Sequence, residues 1–495
     1  MNQRIRWLGV AIACIGSLAA SAQTGALGPS GYSIATPRPI SPADGTTNPG
    51  AQAIQRQNPY LGSVPSERTN TTIHLSLRDA VDRGLRYNLG VVESNQASAA
   101  ARAARLRSLS ALLPQISAQS RQALEDISYS TIGLKFPAIP GLPALPPTTG
   151  AFGFQDARIS VTQPLYDLRL RQEYRAEKYM EQTSLLNIKD ARDVVVFAAG
   201  IAYVQVLASA ARVETAKAQL ATARELDQLT ADRVKSEVSP EIDSLRSQVE
   251  QQSAAQRLTN AANQFEKDKL ALARVVGFPA DQEFVLSDPL AWRPLTGMTL
   301  ESATQEALHS RADLASAVAY VRAAESTVRA QKAQRLPVVS FRADYGGAGV
   351  NVGSFNRVYT VSGNVSVPLY TGGRIQSDVL QAQADLARRK AEYADLKGRV
   401  AYDIRVAWLD LNASDSSVRV AERNKALAAR ALIQSRDRYL NGVTNYLEVI
   451  QAHEAVAAAG ENYIQSLYSF NVALLSLARA MGGADTRLYE LSGGK

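Results

Sequence analysis

From Ile375, apolar residues recur at Val379, Ala382, Leu386, Tyr393, Leu396, Val400, Ile404, Ala407 and Leu411, ten steps over 36 residues with one miss at Arg389. That is the 3.6-residue period of an amphipathic α-helix. A strict heptad would wind such helices into a left-handed supercoil, so this longer period predicts straighter packing. No proline interrupts 168–234 or 374–440, and each stretch holds one glycine. At 1.5 Å per residue each is a helix of ~100 Å. Shorter helical stretches follow at 242–276 and 447–481. At about 53 Å each, they can pair with only half of a long partner. The other half must pack against the helices at 91–113 and 312–335.

Elsewhere the period is two. Tyr359, Val361, Val365 and Val367 face one way, and Thr360, Ser362, Asn364 and Ser366 the other. Ala157, Ile159 and Val161 oppose Arg158, Ser160 and Thr162, while Val339, Phe341, Ala343 and Tyr345 oppose Ser340, Arg342 and Asp344. Strands are expected at about 115–131, 153–165, 338–348 and 357–367, the first alternating less cleanly. The pattern fits either a half-buried sheet or membrane strands around a polar lumen. Two hairpins cannot close a barrel, since the smallest membrane barrels need ~8 strands. If the strands are membranous, chains must share one barrel: two chains would give eight strands and three would give twelve.

The chain repeats itself. Leu75-Ser-Leu-Arg-Asp-Ala80 aligns with Met298-Thr-Leu-Glu-Ser-Ala303, and Leu113-Pro114 with Leu336-Pro337, at an offset of 223. Pro164-Leu165-Tyr166 aligns with Pro368-Leu369-Tyr370 at 204, and Leu272-Ala273-Arg274 with Leu477-Ala478-Arg479 at 205. Residues 73–285 and 298–485 are therefore read as two copies of one unit, joined by a connector at 286–297 and followed by a tail at 486–495. The first copy has 19 extra residues (223 minus 204), mostly a proline-rich loop at 135–149.

Arg4 and Arg6 precede an apolar run that ends at Ala20-Ser21-Ala22, so residues 1–22 read as an export signal. The only cysteine, Cys14, lies inside it; Ala11-Ile12-Ala13-Cys14 also admits lipidation at Cys14. Residues 23–72 carry seven of the 20 prolines and read as an extended linker. One cysteine and three scattered histidines exclude a disulfide scaffold and a cysteine zinc site. A net charge of +8, spread evenly, gives no nucleic-acid footprint. No nucleophile elbow, phosphate loop or dinucleotide fingerprint is present, so no enzyme activity and no cofactor are expected.

Two copies of helix, Leu-Pro, strand pair, Pro-Leu-Tyr, long helix and return helix, behind an export signal, resemble the TolC-like outer-membrane efflux proteins. The resemblance covers about 73–485. It is carried by the order and doubling of the unit, by Gln163-Pro164-Leu165-Tyr166-Asp167 and Val367-Pro368-Leu369-Tyr370-Thr371-Gly372-Gly373, and by Arg438-Tyr439 with Gly442-Val443. It implies a mainly α fold with a small β part: a trimeric periplasmic α-barrel under a shared twelve-stranded transmembrane β-barrel. It further implies an outer-membrane channel that exports small molecules or proteins. The implied partners are outer-membrane lipid, a periplasmic adaptor and an inner-membrane pump of RND, ABC or MFS type. The second reading is a soluble periplasmic coiled-coil scaffold or adaptor.

In that family the two helical turns form the periplasmic tip. The resemblance makes Arg438, Gly442, Val443 and Thr444, with Arg233, Val238 and Ser239, the adaptor-docking residues. Glu237 stands where Gly442 stands, and Pro240 where Asn445 stands. Family acidic rings fall six and nine residues after the turn glycine. Here those positions are Glu448, a carboxylate, and Gln451, an amide. Glu448, Asp243 and Gln451 are thus expected at the pore constriction. A hydrogen bond from Tyr439 to Asp243 is expected to lock the gate.

Overall fold

A computed structural model describes residues 58–133, 146–295, 297–485 and 487. The export signal, Cys14, most of the proline-rich loop and most of the tail lie outside the described residues.

The first repeat runs β1 (Ile73–Leu75), α1 (Leu77–Tyr87), α2 (Leu89–Ser110), β2 (Gln115–Glu125), β3 (Phe152–Tyr166), α3 (Leu168–Lys235) and α4 (Glu241–Val276). β4 (Phe284–Leu286) returns to pair in parallel with β1. The second repeat runs α5 (Leu300–Ser310), α6 (Ala312–Ala333), β5 (Val338–Gly349), β6 (Asn356–Ser366), α7 (Arg374–Leu440) and α8 (Tyr446–Met481). β2 stops at Glu125, short of 131, because Ser128 bridges to Thr148 and Tyr129–Ile132 turns as a 3-10 helix. The β1–β4 pair and the breaks at Asn88 and Arg311 were not legible as separate elements. Asn88 ends α1, and its side chain caps α2 by accepting from the Gly90 amide.

The long helices each serve two partners. The first half of α3 meets α2 through Arg105–Glu181 (2.9 Å) and α6 through the Ser316 hydroxyl donating to Asn187. Its later part packs on α4. The first half of α7 likewise meets α6, with Arg389 over the Tyr320 ring, and its second half packs on α8. Each repeat has its own core where these halves meet. One buries Leu75, Val81, Val196, Tyr203, Leu272 and Val276; the other buries Ala303, Ala307, Val400, Ile404, Phe470 and Leu477. α3 holds an 18-residue stretch apolar enough to cross a membrane, but over half of it is buried in the first core.

The two long helices begin differently. Asp167 is buried and its carboxylate accepts from the Leu170 amide (3.1 Å), a firm cap for α3. α7 starts from Gly372 and Gly373, whose φ angles are +57° and +85°, and has no side-chain cap.

The four longer strands form one antiparallel sheet of order β2-β3-β5-β6, with the hairpins of the two repeats joined along β3 and β5. Register places Ala118, Ile159, Tyr345 and Tyr359 in one row across the sheet, and Ile116, Val161, Ala343 and Val361 in the next. The opposite face carries Ser117, Ser160, Asp344 and Thr360 in one row and Gln115, Thr162, Arg342 and Ser362 in another. On that face Arg158 pairs with Asp156 (2.7 Å) and Asp344 (3.5 Å).

Candidate functional site

Two features stand out against the packed helices: an open sheet and a pair of closed helical turns.

Nothing among the described residues covers the sheet. Its apolar face leaves Ile116, Tyr345, Tyr359 and Val361 60–71% exposed. β2 and β6 each pair on one side only, so two rows of backbone donors and acceptors are unmet. An exposed edge of this kind templates pairing with another chain.

The first turn joins α3 to α4 through Ser236–Pro240, and the second joins α7 to α8 through Asn441–Asn445. Their backbones match. The Val238 amide donates to Arg233 O and the Val443 amide to Arg438 O, both at 2.9 Å. Glu237 takes φ +59° and Gly442 φ +69°, so the left-handed position survives the loss of its glycine. A residue with a Cβ is strained there by ~1–2 kcal/mol. Val238 and Val443, the matched residues, are 62% and 66% exposed.

Asp243 and Glu448 also match, each the third residue of its return helix, where a carboxylate is favoured by the helix dipole. Glu448 does not stand free. It pairs with Arg438 (3.3 Å), accepts from the Thr444 hydroxyl, and its amide donates to the Asn445 side chain. Asp243 is buried and reaches Arg246 at 3.8 Å. Gln451 is exposed.

The expected Tyr439–Asp243 bond is not formed within the chain. The buried Tyr439 hydroxyl instead lies 3.2 Å from the Ser239 hydroxyl. Arg233 organises this contact. Its Nε donates to Ser239 Oγ (3.1 Å), its Nη1 donates to Leu440 O (3.2 Å), and its guanidinium lies 4.9 Å from the Tyr439 ring centroid. The reason for the change of partner is position: Ser239 sits in the turn beside Tyr439, whereas Asp243 lies one helical turn into α4.

Tyr446, opening α8, was missed by motif reasoning. Its ring packs on Tyr439 (centroids 5.4 Å apart) and on Leu226 and Val449. Burial pushes its phenol well above the usual range, helped by Tyr439 and the carboxylates Asp227, Glu250 and Asp243. The available signal was an aromatic at the first position of a helix whose repeat counterpart is Glu241. No group of three or more metal-ligating side chains occurs among the described residues.

Known proteins resemble this chain in sequence and in fold. The sequence model of a family described as outer membrane efflux protein matches residues 303–483. The outer membrane efflux protein BepC of Brucella suis biovar 1 (strain 1330) is 27% identical over 166 residues, covering 33% of this chain and 36% of its own length. This chain thus matches little more than a third of that relative. In structure, a membrane protein from Pseudomonas aeruginosa superposes with a TM-score of 0.73 at 18% identity, covering 82% of this chain and 93% of that one. The Campylobacter jejuni CmeC outer membrane channel gives 0.72 at 16% identity, covering 88% and 95%.

Proposed function

Because the chain belongs to the TolC-like outer-membrane efflux proteins and is an outer-membrane protein, we propose that it is a trimeric channel-tunnel carrying cargo outward from an inner-membrane pump through a periplasmic adaptor. The observation that carries the reading is the four-stranded sheet, apolar on one face, polar on the other, open at both edges. In a bilayer no edge can stay unpaired, so copies must join edge to edge. Two copies would give eight strands, a barrel whose interior side chains fill. Three give twelve and leave a lumen lined by the Arg158–Asp156–Asp344 face. The long hairpins then hang beneath as a helical tunnel.

The same arrangement assigns the tips. Tyr439, Ser239 and Arg233 hold each chain's two hairpins together and form the gate lock. Asp243 supports it from the first turn of α4. Glu448, with Gln451 one turn on, lines the constriction, its charge offset by Arg438. Val238 and Val443, flanked by Gly442 and Thr444, are the bare apolar points on which an adaptor docks.

Purified protein in planar bilayers tests this. Discrete, long-lived conductance steps from a detergent-stable trimer are expected. Recovery of the protein from the periplasm without detergent, as a monomer, would instead support the soluble scaffold.

A further inference from the structure

The two hairpins of the sheet share one register. Gln115 pairs with Thr162 in the first and Val338 with Ser366 in the second. The repeat offsets of 223 and 204 carry the first pair onto the second. The offset of 223 also carries α2 (Leu89–Ser110) onto α6 (Ala312–Ala333), residue for residue. Their surroundings differ. α6 lies between both long helices and buries nine residues, whereas α2 packs on one, α3, and buries two, Gly90 and Val91. α6 owes the difference to α3, the long helix of the repeat before its own. For α2 the equivalent neighbour is α7 of another copy. The outer edges of β2 and β6 lack partners in the same sense.

We propose that the seam between copies reproduces the seam within the chain: β6 of one copy pairs antiparallel with β2 of the next, in the register of β3 on β5, and α2 of that next copy closes the open flank of α7. The inference rests on the channel reading above. Within the chain Val161 faces Ala343, Thr162 faces Arg342 and Gln163 faces Phe341. The offsets turn these pairs into Val365 on Ser120, Ser366 on Gln119 and Val367 on Ala118 of the next copy. Further along, Ala157 on Gly347 becomes Val361 on Leu124, which are 67% and 78% exposed in the single chain.

Both faces accept this register. The valines meet Ala118, Ser120 and Leu124 on the apolar side. Asn364 meets Arg121 on the polar side, where that arginine already pairs with Glu125 of its own strand. No like charges are set opposite each other. A slip of one residue would turn Arg121 toward lipid. A slip of two would break an even stagger. Across one chain the row through Ile116 reaches Ala343, the counterpart of Ser120 (343 minus 223), so the second hairpin is displaced by four residues. The proposed seam repeats that step, from Ser120 to Leu124, and spreads strand tilt evenly around the closed sheet. Slipping by two would also carry α2 ~7 Å along the strand direction, away from the place that α6 holds on α3.

Cysteine pairs in the full-length chain, oxidised in outer membranes, test the seam; the parent, whose only cysteine is Cys14, is the blank. Val161→Cys with Ala343→Cys, the template pair, calibrates linkage within the chain, and a short bismaleimide takes the oxidant's place if that pair does not oxidise. Val365→Cys with Ser120→Cys, and Ser366→Cys with Gln119→Cys on the other face, should link copies as completely as the template pair links, giving covalent trimers on non-reducing gels. Val365→Cys with Ala118→Cys or Gln122→Cys should link about tenfold less, because diagonal Cβ atoms stand ~7–8 Å apart and facing ones ~5 Å. Detergent-stable trimers that link best through Ala118→Cys or Gln122→Cys, or that stay unlinked at both seam pairs, overturn the seam and leave the channel standing. Unlinked monomers from the parent and every variant overturn the channel reading, and the seam with it.

Discussion

Arg233 is the residue whose removal should most directly loosen the closed tip. It makes two hydrogen bonds, one within its own turn to Ser239 and one across to Leu440 O on the other hairpin, and covers the Tyr439 ring. It is only partly exposed. A charged hydrogen bond shared with water and a cation–π contact together are worth ~1–2 kcal/mol per chain. If the chain is trimeric as proposed, three copies would supply ~3–6 kcal/mol, and at 1.4 kcal/mol per factor of ten that would shift the closed-to-open ratio by about a hundredfold or more. Arg233→Ala should therefore raise single-channel conductance or open probability in planar bilayers at neutral pH. Arg233→Lys keeps the charge but loses the fork, so it should fall between. Tyr439→Phe removes only the hydroxyl contact to Ser239 and should have the smaller effect. Arg233→Ala trimers conducting like the parent would refute the lock.

Two further outcomes follow from the turns. Glu237→Gly should relieve the left-handed strain at φ +59° by ~1 kcal/mol, slowing hydrogen exchange at 236–239 by about fivefold; faster exchange would show that the side chain holds the turn. Arg438→Gln should free Glu448 and raise cation selectivity, read as a larger reversal potential across a salt gradient, whereas Glu448→Gln should lower it; equal potentials in both variants would remove Glu448 from the constriction.

Much of the architecture was legible because its determinants are periodic. Ile375, Val379, Ala382, Val400, Ile404, Ala407 and Leu411, the read-off stripe of α7, are buried. Leu386, Tyr393 and Leu396 on the same stripe are only half-buried, since one chain supplies helices to that stretch from one side alone. The alternating strands were legible too, and their register put the apolar residues in continuous rows. The tip contacts were not. Tyr439 and Ser239 are 200 residues apart, and their meeting depends on how two hairpins rotate against each other, which no local pattern encodes. Glu237 gave no sign in the sequence of the left-handed backbone, because such a residue is announced there only by glycine or asparagine. The backbone kept the conformation and absorbed the strain. His453 read as an isolated histidine because its carboxylate neighbour, Glu250, lies on the other repeat.

The unlike roots of α3 and α7 have a mechanical consequence. A helix of this length acts as a long lever, and the joint at its root bears on how it moves. α3 is capped at its root by the buried Asp167 carboxylate, whereas α7 rises from two consecutive glycines with no cap of its own and is held instead by the end of α6, through Arg335 to Gln376 and Arg374 to Gln334. The first root is thus braced by its own helix and the second by a neighbouring one, two different joints under two similar struts. In a trimer the six hairpins would alternate between the two kinds of joint.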